Sequence, residues 1–259
     1  MLIFGVKPAV EALRAGRVTE LAVSARRQRG LDGLMELAER RGVRPRLVER
    51  SELDRLAGGA SHQGVVATVR PLATCTVAEL IAARTPPLIV VLDGIEDPRN
   101  LGAIARTVDA AGASGLIVPE RRSAPVTGAA VKASAGALVH VRLAPVVNLT
   151  RVLEELKADG VWTIGLDAEA DQSLYDLDLR LPTAFVVGRE GRGLHRLVRE
   201  RCDWRASLPM QGEVSSLNAS VAVGVALFEA VRQRTAKPLS GPTGSAILPN
   251  SSGWRSSVR

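Results

Sequence analysis

From residue 87 onward the chain repeats one pattern, a short aliphatic run followed by a stretch of helical periodicity. The extended runs are "PLIVVLDG", "GLIVP", "VRLAPV", "VWTIGLDA", "TAFVVG" and "WRASLPM". Helical spacing fills most of the intervals, over 100–112, 128–138, 148–160, 194–202 and 218–234. A strand that is apolar at every position must be covered on both faces, and the intervening helices supply the cover. The pattern predicts an α/β domain with a mostly parallel sheet over residues 87–235. In such sheets ligands sit at the carboxyl ends of strands, so function is sought in the loops that follow them.

Residues 1–70 read differently. "PAVEALRAG" and "GLDGLMELAERRG" carry helical spacing and end at glycine, while "LAVSA", "RPRLVE" and "GVVATVR" are β-rich. "SELDRLAG" reads as a helix opened by a capping serine, Ser51. These elements predict a small α/β domain over 1–70. Residues 71–86 read as a linker with one helical turn, closed by Pro86 and Pro87. The tail 236–259 is rich in Ser, Gly and Pro and holds no acidic residue, which predicts a flexible segment.

Charge separates the same regions. Residues 1–70 hold thirteen Lys and Arg against eight Asp and Glu; residues 87–234 hold seventeen against eighteen. A basic domain beside a near-neutral one suits a polyanion grip joined to a catalytic part, although a solvated Arg-rich face gives the same count. Aromatic residues make up only 3% of the chain, too few for a stacking platform on nucleic acid. Two distant cysteines and three scattered histidines lack metal-ligand spacing, so no metal is expected. No apolar run reaches membrane-spanning length, and the reading is a cytoplasmic protein with free thiols and no membrane partner.

Three loops stand out. In "DGIEDPRNLGAIARTVDAAG" Pro98, Asn100 as a cap and Gly112 are helix punctuation, but Arg106 in an Ala/Ile/Val helix is not. It either pairs with Asp109 one turn on or serves a ligand. In "FVVGREGRGLHRL" three glycines follow a strand with G-x-x-G-x-G spacing, neither a dinucleotide fingerprint nor a Walker loop. Six arginines between 189 and 205 then form either a phosphate-facing rim or a solvated basic helix. In "VSSLNAS" Ser215, Ser216, Asn218 and Ser220 crowd a helix start that needs one or two capping side chains. The surplus suits an electron-rich ligand.

Together the loops resemble the SpoU/TrmH family of RNA ribose 2′-O-methyltransferases, in the SPOUT superfamily. The first family motif is matched by Asn100-Leu101-Gly102 followed by Arg106, and the second by Gly188-Arg189-Glu190-Gly191-Arg192-Gly193. Ser216-Leu217-Asn218-Ala219-Ser220 matches the third. In addition, "GVKPAVEALRAG" and "SHQGVVATV" resemble the ribosomal-protein-like RNA-binding domain of family members that methylate guanosine in 23S rRNA. The resemblance runs from about residue 3 to 235.

The resemblance implies a homodimer, a trefoil-knotted catalytic domain and S-adenosylmethionine as methyl donor. It implies catalytic roles for Arg106, Asn100, Glu190, Ser216 and Asn218, with Arg106 activating the ribose hydroxyl. Cofactor contacts are expected from Gly188, Glu190, Gly191, Leu208, Met210, Leu217 and Ser220. RNA contacts are expected from Arg189, Arg192, Arg196, His62 and Gln63. The expected substrate is 23S rRNA; a tRNA, another rRNA site of the antibiotic-resistance type, or a non-catalytic role in ribosome assembly are the alternatives.

Overall fold

The computed structural model describes residues 1–26 and 30–236; the tail from residue 237 lies outside them. The first sheet contains β1 (Leu2–Phe4), β2 (Val18–Ser24), β3 (Pro45–Val48) and β4 (Val65–Val69), in the order β1-β4-β2-β3. Only β2 and β3 run parallel; β4 is antiparallel to both its neighbours. Helices α1 (Val6–Arg14), α2 (Leu31–Arg40) and α3 (Arg50–Ala57) complete this part. The strand β1 is too short to show a period in sequence. α3 begins one residue before Ser51, and Glu49 occupies the cap position without a side-chain bond, so Ser51 is not the cap.

The connector is more structured than a linker with one turn. Thr76 and Glu79 form a reciprocal capping box, each satisfying the other's backbone N–H, and open α4 (Val77–Ala82). Leu80 of that helix is fully buried under the second sheet's core.

That second sheet has six strands, β5 (Leu88–Leu92), β6 (Gly115–Pro119), β7 (Leu143–Val146), β8 (Trp162–Leu166), β9 (Thr183–Val187) and β10 (Trp204–Ala206). Their order is β10-β8-β9-β5-β6-β7 and every pairing is parallel. β5 and β9 are buried at all positions, as strands covered on both faces must be. Covering helices are α5 (Pro98–Ala110), α6 (Gly128–Ala133), α7 (Leu149–Ala158), α8 (Arg196–Arg201) and α9 (Ala219–Thr235). The helix expected over 128–138 stops at Ser134. Ala135 and Gly136 take positive φ, and a short 3₁₀ turn follows over Ala137–Val139.

The two sheets are joined through α6. A Cβ on Gly128 would overlap the Leu2 carbonyl, so glycine there lets β1 lie directly on the helix start. Lys132 donates to the Ser61 carbonyl, and His140 bonds Glu11 at 3.0 Å. On its other side α6 presses against α5, where a Cβ on Gly102 would come within 2.6 Å of the Ala130 carbonyl oxygen. The far end of α9 is fastened by Arg234, whose guanidinium donates to the carbonyls of Leu179, Pro86, Pro87 and Leu181. Burial lowers its pKa to about 10, the direction expected for a cation taken out of water.

Candidate active site

The loops after β8, β9 and β10 meet at one end of the sheet and enclose a cleft of about 420 Å³. Its floor is apolar, with Leu166, Val187, Leu208, Leu217 and Ala222. The glycine loop Gly188–Gly193 forms one wall. It is closed on itself by two main-chain bonds, Arg189 N–H to the Gly193 carbonyl at 3.0 Å and Gly193 N–H to the Arg189 carbonyl at 2.8 Å. A Cβ on Gly188 would overlap the backbone of Gly193, so no other residue fits. At the glycines of this wall the surface offered to a ligand is therefore main chain.

Beyond the loop, a buried acid holds the chain in place. Asp93, at the end of β5, accepts from the His195 N–H at 2.6 Å and bonds the same residue's Nδ1 at 2.7 Å. Sequence reading passed over this pair because the partners are 102 positions apart; a lone acid ending the apolar run "LIVVLD" was the available signal.

The three sequence motifs converge beside the cleft. Asn218 Nδ2 donates to Asn100 Oδ1 at 3.1 Å and to Glu190 Oε2 at 3.3 Å, and Asn100 Nδ2 donates to the same Glu190 oxygen at 3.3 Å. One residue of each loop thus forms a closed triangle of polar contacts. Asn100 is available for it because it does not cap its helix. That task falls to Asp97, which accepts the Arg99 N–H, with Pro98 in the first helical position. Asn218 does cap α9, accepting the Ser220 N–H at 2.9 Å and the Ser220 hydroxyl at 2.6 Å. Its amide oxygen serves the helix and its amide nitrogen the triangle. Of the four polar residues at this helix start, Ser215 and Ser216 line the cleft; Ser220 turns back to Asn218 and does not.

Of the expected cofactor contacts, Gly188, Glu190, Gly191, Leu208, Met210 and Leu217 all line the cleft. The expected arginine rim is mostly neutralised. Arg196 pairs with Glu200, Arg199 with Asp167 and Glu169, Arg201 with Glu154, and Arg205 with Asp167. Arg189 and Arg192 remain, and both line the cleft rather than a surface outside it. The Nε–H of Arg189 is buried and bonds to nothing in the described structure. A buried donor left so is costly unless a ligand satisfies it.

Arg106 is exposed, two turns into α5, and makes no hydrogen bond or ion pair with any described residue. The pairing with Asp109 does not form. Arg106 also lies outside the cleft lining of its own chain. His62 and Gln63 sit in the loop before β4 of the first sheet, at a separate hollow. Among the described residues no group of three or more His, Cys, Asp or Glu is placed to hold a metal ion, and no helix is long and apolar enough to cross a membrane. The thiols are quiet: burial pushes Cys202 up to about 12 and raises Cys75 as well.

Comparison with known proteins identifies the family. Residues 87–228 match the SpoU rRNA methylase family, and residues 2–75 match the RNA 2′-O ribose methyltransferase substrate-binding domain. The 23S rRNA (guanosine-2′-O-)-methyltransferase RlmB of Pseudomonas putida is 46% identical over 243 residues, covering 91% of this chain and 97% of its own. The SpoU methyltransferase AviRb of Streptomyces viridochromogenes, solved in complex with the cofactor AdoMet, superposes with a TM-score of 0.76 at 32% identity, over 90% of each chain. The TrmH/SpoU tRNA modifying enzyme of A. aeolicus covers only 60% of this chain and 79% of its own, with a TM-score of 0.54 at 32% identity. The chain belongs to the SpoU rRNA methylase family.

Proposed function

We propose that the protein transfers a methyl group from S-adenosylmethionine to the ribose 2′-hydroxyl of a guanosine in 23S rRNA. The observation that carries this reading is the closed contact of Asn100, Glu190 and Asn218 beside a cleft walled by main chain. The relative RlmB, similar over nearly the whole chain, supports the ribosomal substrate, as does the match of residues 2–75 to a substrate-binding domain. The tRNA-modifying relative aligns with a much smaller share of the chain.

The cleft suits S-adenosylmethionine. Leu166, Val187, Leu208 and Leu217 offer an apolar floor for a base, and the glycine loop offers backbone at close range. The orphaned Arg189 Nε–H makes its guanidinium the partner for a carboxylate. Once bound, the group supplies an electrophilic methyl on a sulfonium, which needs little help to leave.

The protein's task is to position a hydroxyl and manage its proton. Glu190, held by two amides, keeps the glycine loop against the motif helices. Ser216, in the cleft lining, presents its hydroxyl toward the ribose, and Asn218, its amide fully engaged, holds Asn100 and Glu190 in place beside it. A guanidinium is a poor base, so the part of Arg106 is to orient the hydroxyl and stabilise the developing alkoxide, with a substrate phosphate taking the proton.

Because Arg106 lies outside its own cleft, the working site combines two subunits. On α9, Val221 and Phe228 are half-exposed one above the other, an apolar stripe unlike a solvated helix face. That stripe, beside α5 and Arg106, is the proposed dimer interface, and it delivers Arg106 to the partner's cleft. The return of residues 208–217 past the loop 188–194 is the proposed crossing of a trefoil knot. The protein would act in the cytoplasm, where ribosomal RNA matures.

The test is transfer of labelled methyl from S-adenosylmethionine to a 23S rRNA transcript, followed by mapping of ribose methylation. One labelled guanosine is expected. Label confined to tRNA in a competition between the two RNAs would overturn the choice of substrate.

A further inference from the structure

The four-stranded sheet carries a second hollow that the reaction above leaves unused. β2 and β3 are its parallel pair, and α3 follows β3, so their carboxyl ends form a crevice of the type where open α/β sheets hold ligands. A cavity of about 380 Å³ lies there, with Ser24, Arg50, Asp54, Ser61, His62 and Gln63 in its lining.

The proton inventory of this hollow is defined. The Gly64 N–H donates to His62 Nδ1 at 3.1 Å, so that nitrogen is the acceptor and the ring hydrogen sits on Nε2. Nε2 faces Asp54 Oδ1 at 2.9 Å. His62 is buried, whereas the Asp54 side chain is 58% exposed. A buried, neutral imidazole thus fixes a carboxylate whose remaining lone pairs face the open cavity. Arg50 Nε stands 3.9 Å from Asp54 Oδ2, too far for a hydrogen bond, and its side chain is 75% exposed. Gln63 is held at φ 49, an uncommon conformation for a residue with a side chain, and its exposed carboxamide bonds to no described residue. Strain of this kind collects where a structure holds a group ready for a ligand.

An acceptor-only group selects a ligand with paired donors. Among the four RNA bases only guanine offers adjacent N–H donors on its Watson–Crick edge, at N1 and N2, and they match the two oxygens of a carboxylate. Such an edge is accessible only in unpaired RNA. Apart from the buried imidazole of His62, the cavity lining holds no aromatic ring, so hydrogen bonding rather than stacking must provide the discrimination. Arg50, exposed and held by Asp54 only at 3.9 Å, can take the neighbouring phosphate.

We propose that this hollow binds a second, unmethylated guanine of the substrate RNA, with its Watson–Crick edge on Asp54 and an adjacent phosphate on Arg50. The hollow is joined to the catalytic part through Lys132, which donates to the Ser61 carbonyl, and α6 in turn packs on the helix of Arg106. A base held here sets the register by which one ribose reaches the other cleft. The inference rests on the RNA-methylating reading above and deepens it.

Kethoxal, which reacts with N1 and N2 of unpaired guanine, tests it on the full chain bound to a 23S rRNA transcript, with methyl transfer measured in parallel. The wild type is expected to protect a guanine other than the methylated one. Asp54→Asn keeps the shape and the acceptor for His62 but turns an amide donor toward the base. It should abolish that protection and weaken RNA binding about tenfold, as loss of one bidentate base contact does, with S-adenosylmethionine affinity unchanged. Asp54→Ala should do the same, and an unchanged melting temperature in either variant separates the effect from misfolding. Methyl transfer with no Asp54-dependent guanine protection overturns this inference alone. A wild type that neither binds nor methylates the transcript overturns the function reading and this inference with it. Free guanosine 5′-monophosphate binding as tightly as the transcript would assign the hollow to a nucleotide and overturn its role in RNA.

Discussion

Two hollows sit at the carboxyl ends of parallel strands in this molecule, and they are built in opposite ways. The one in the six-stranded sheet is walled by main chain, and its polar side chains are bound to one another over 28, 90 and 118 positions of sequence. The one in the four-stranded sheet presents exposed charged side chains on a short segment, with one buried histidine behind them. The first construction suits a small ligand of constant shape, because it is rigid before the ligand arrives. The second suits a polymer, whose own structure supplies the order and leaves the protein to read an edge and a phosphate.

The largest effect should come from breaking the main-chain wall. Gly188→Ala places a Cβ in the Gly193 backbone, where no flexible side chain can yield, and a cost of about 4 kcal/mol or more is expected. Calorimetry should find no S-adenosylmethionine binding, while the RNA affinity proposed for the other hollow stays close to wild type. Gly191→Ala is the control. Its φ of 72 is strained for alanine but nothing lies near its Cβ, so about 1–2 kcal/mol is expected. Equal losses from the two would remove the distinction between a wall and a turn.

Next in size, Arg106→Ala should lower the methyl-transfer rate about 10³-fold, the scale for removing a group that stabilises developing charge. S-adenosylmethionine affinity should stay within a few-fold, because Arg106 does not line the cleft of its own chain and is proposed to reach the partner's to act on the ribose hydroxyl. Loss of cofactor affinity in step with activity would instead make Arg106 part of the wall.

Arg234→Ala probes how α9 is anchored in the catalytic part. It strips the guanidinium from four backbone carbonyls and should lower stability by about 3 kcal/mol, read as a fall in melting temperature. The smallest effect is expected at Cys202. Its Sγ packs beneath Gly165 and burial pushes its pKa up to about 12. At pH 8 the thiol is protonated, and a thiol reagent should label it only after unfolding. Rapid labelling of the native protein would show the catalytic sheet to be looser than the wall requires.

Much of this was legible from residue order. The alternation from residue 87 placed all six strands of the parallel sheet to within a few residues, most plainly β5 and β9, which are buried on both faces and so almost wholly apolar. The glycine and serine-rich loops declared themselves by exceeding what turns and caps require. Local punctuation was less reliable. Asn100 read as a cap and Ser51 as another, yet Asp97 and Glu49 hold those positions. Several residues near a helix start can serve as its cap, and the choice depends on which of them has a better partner elsewhere. The break at Ala135 and Gly136 was missed because the apolar spacing continues through it.

Sequence by itself determined the layers and the three loops, since periodicity and turn chemistry act between neighbours a few residues apart. Only the tertiary structure decided what those loops do together. Strand order places β9 between β8 and β5, and this juxtaposition brings Glu190 to Asn100 and Asn218 and sets His195 on Asp93. It also decided that four of six arginines are neutralised while Arg106, Arg189 and Arg192 carry no ion pair with any described residue. Free charge is a property of which acids lie within reach, and reach across a sheet is fixed by register rather than by the order of residues along the chain.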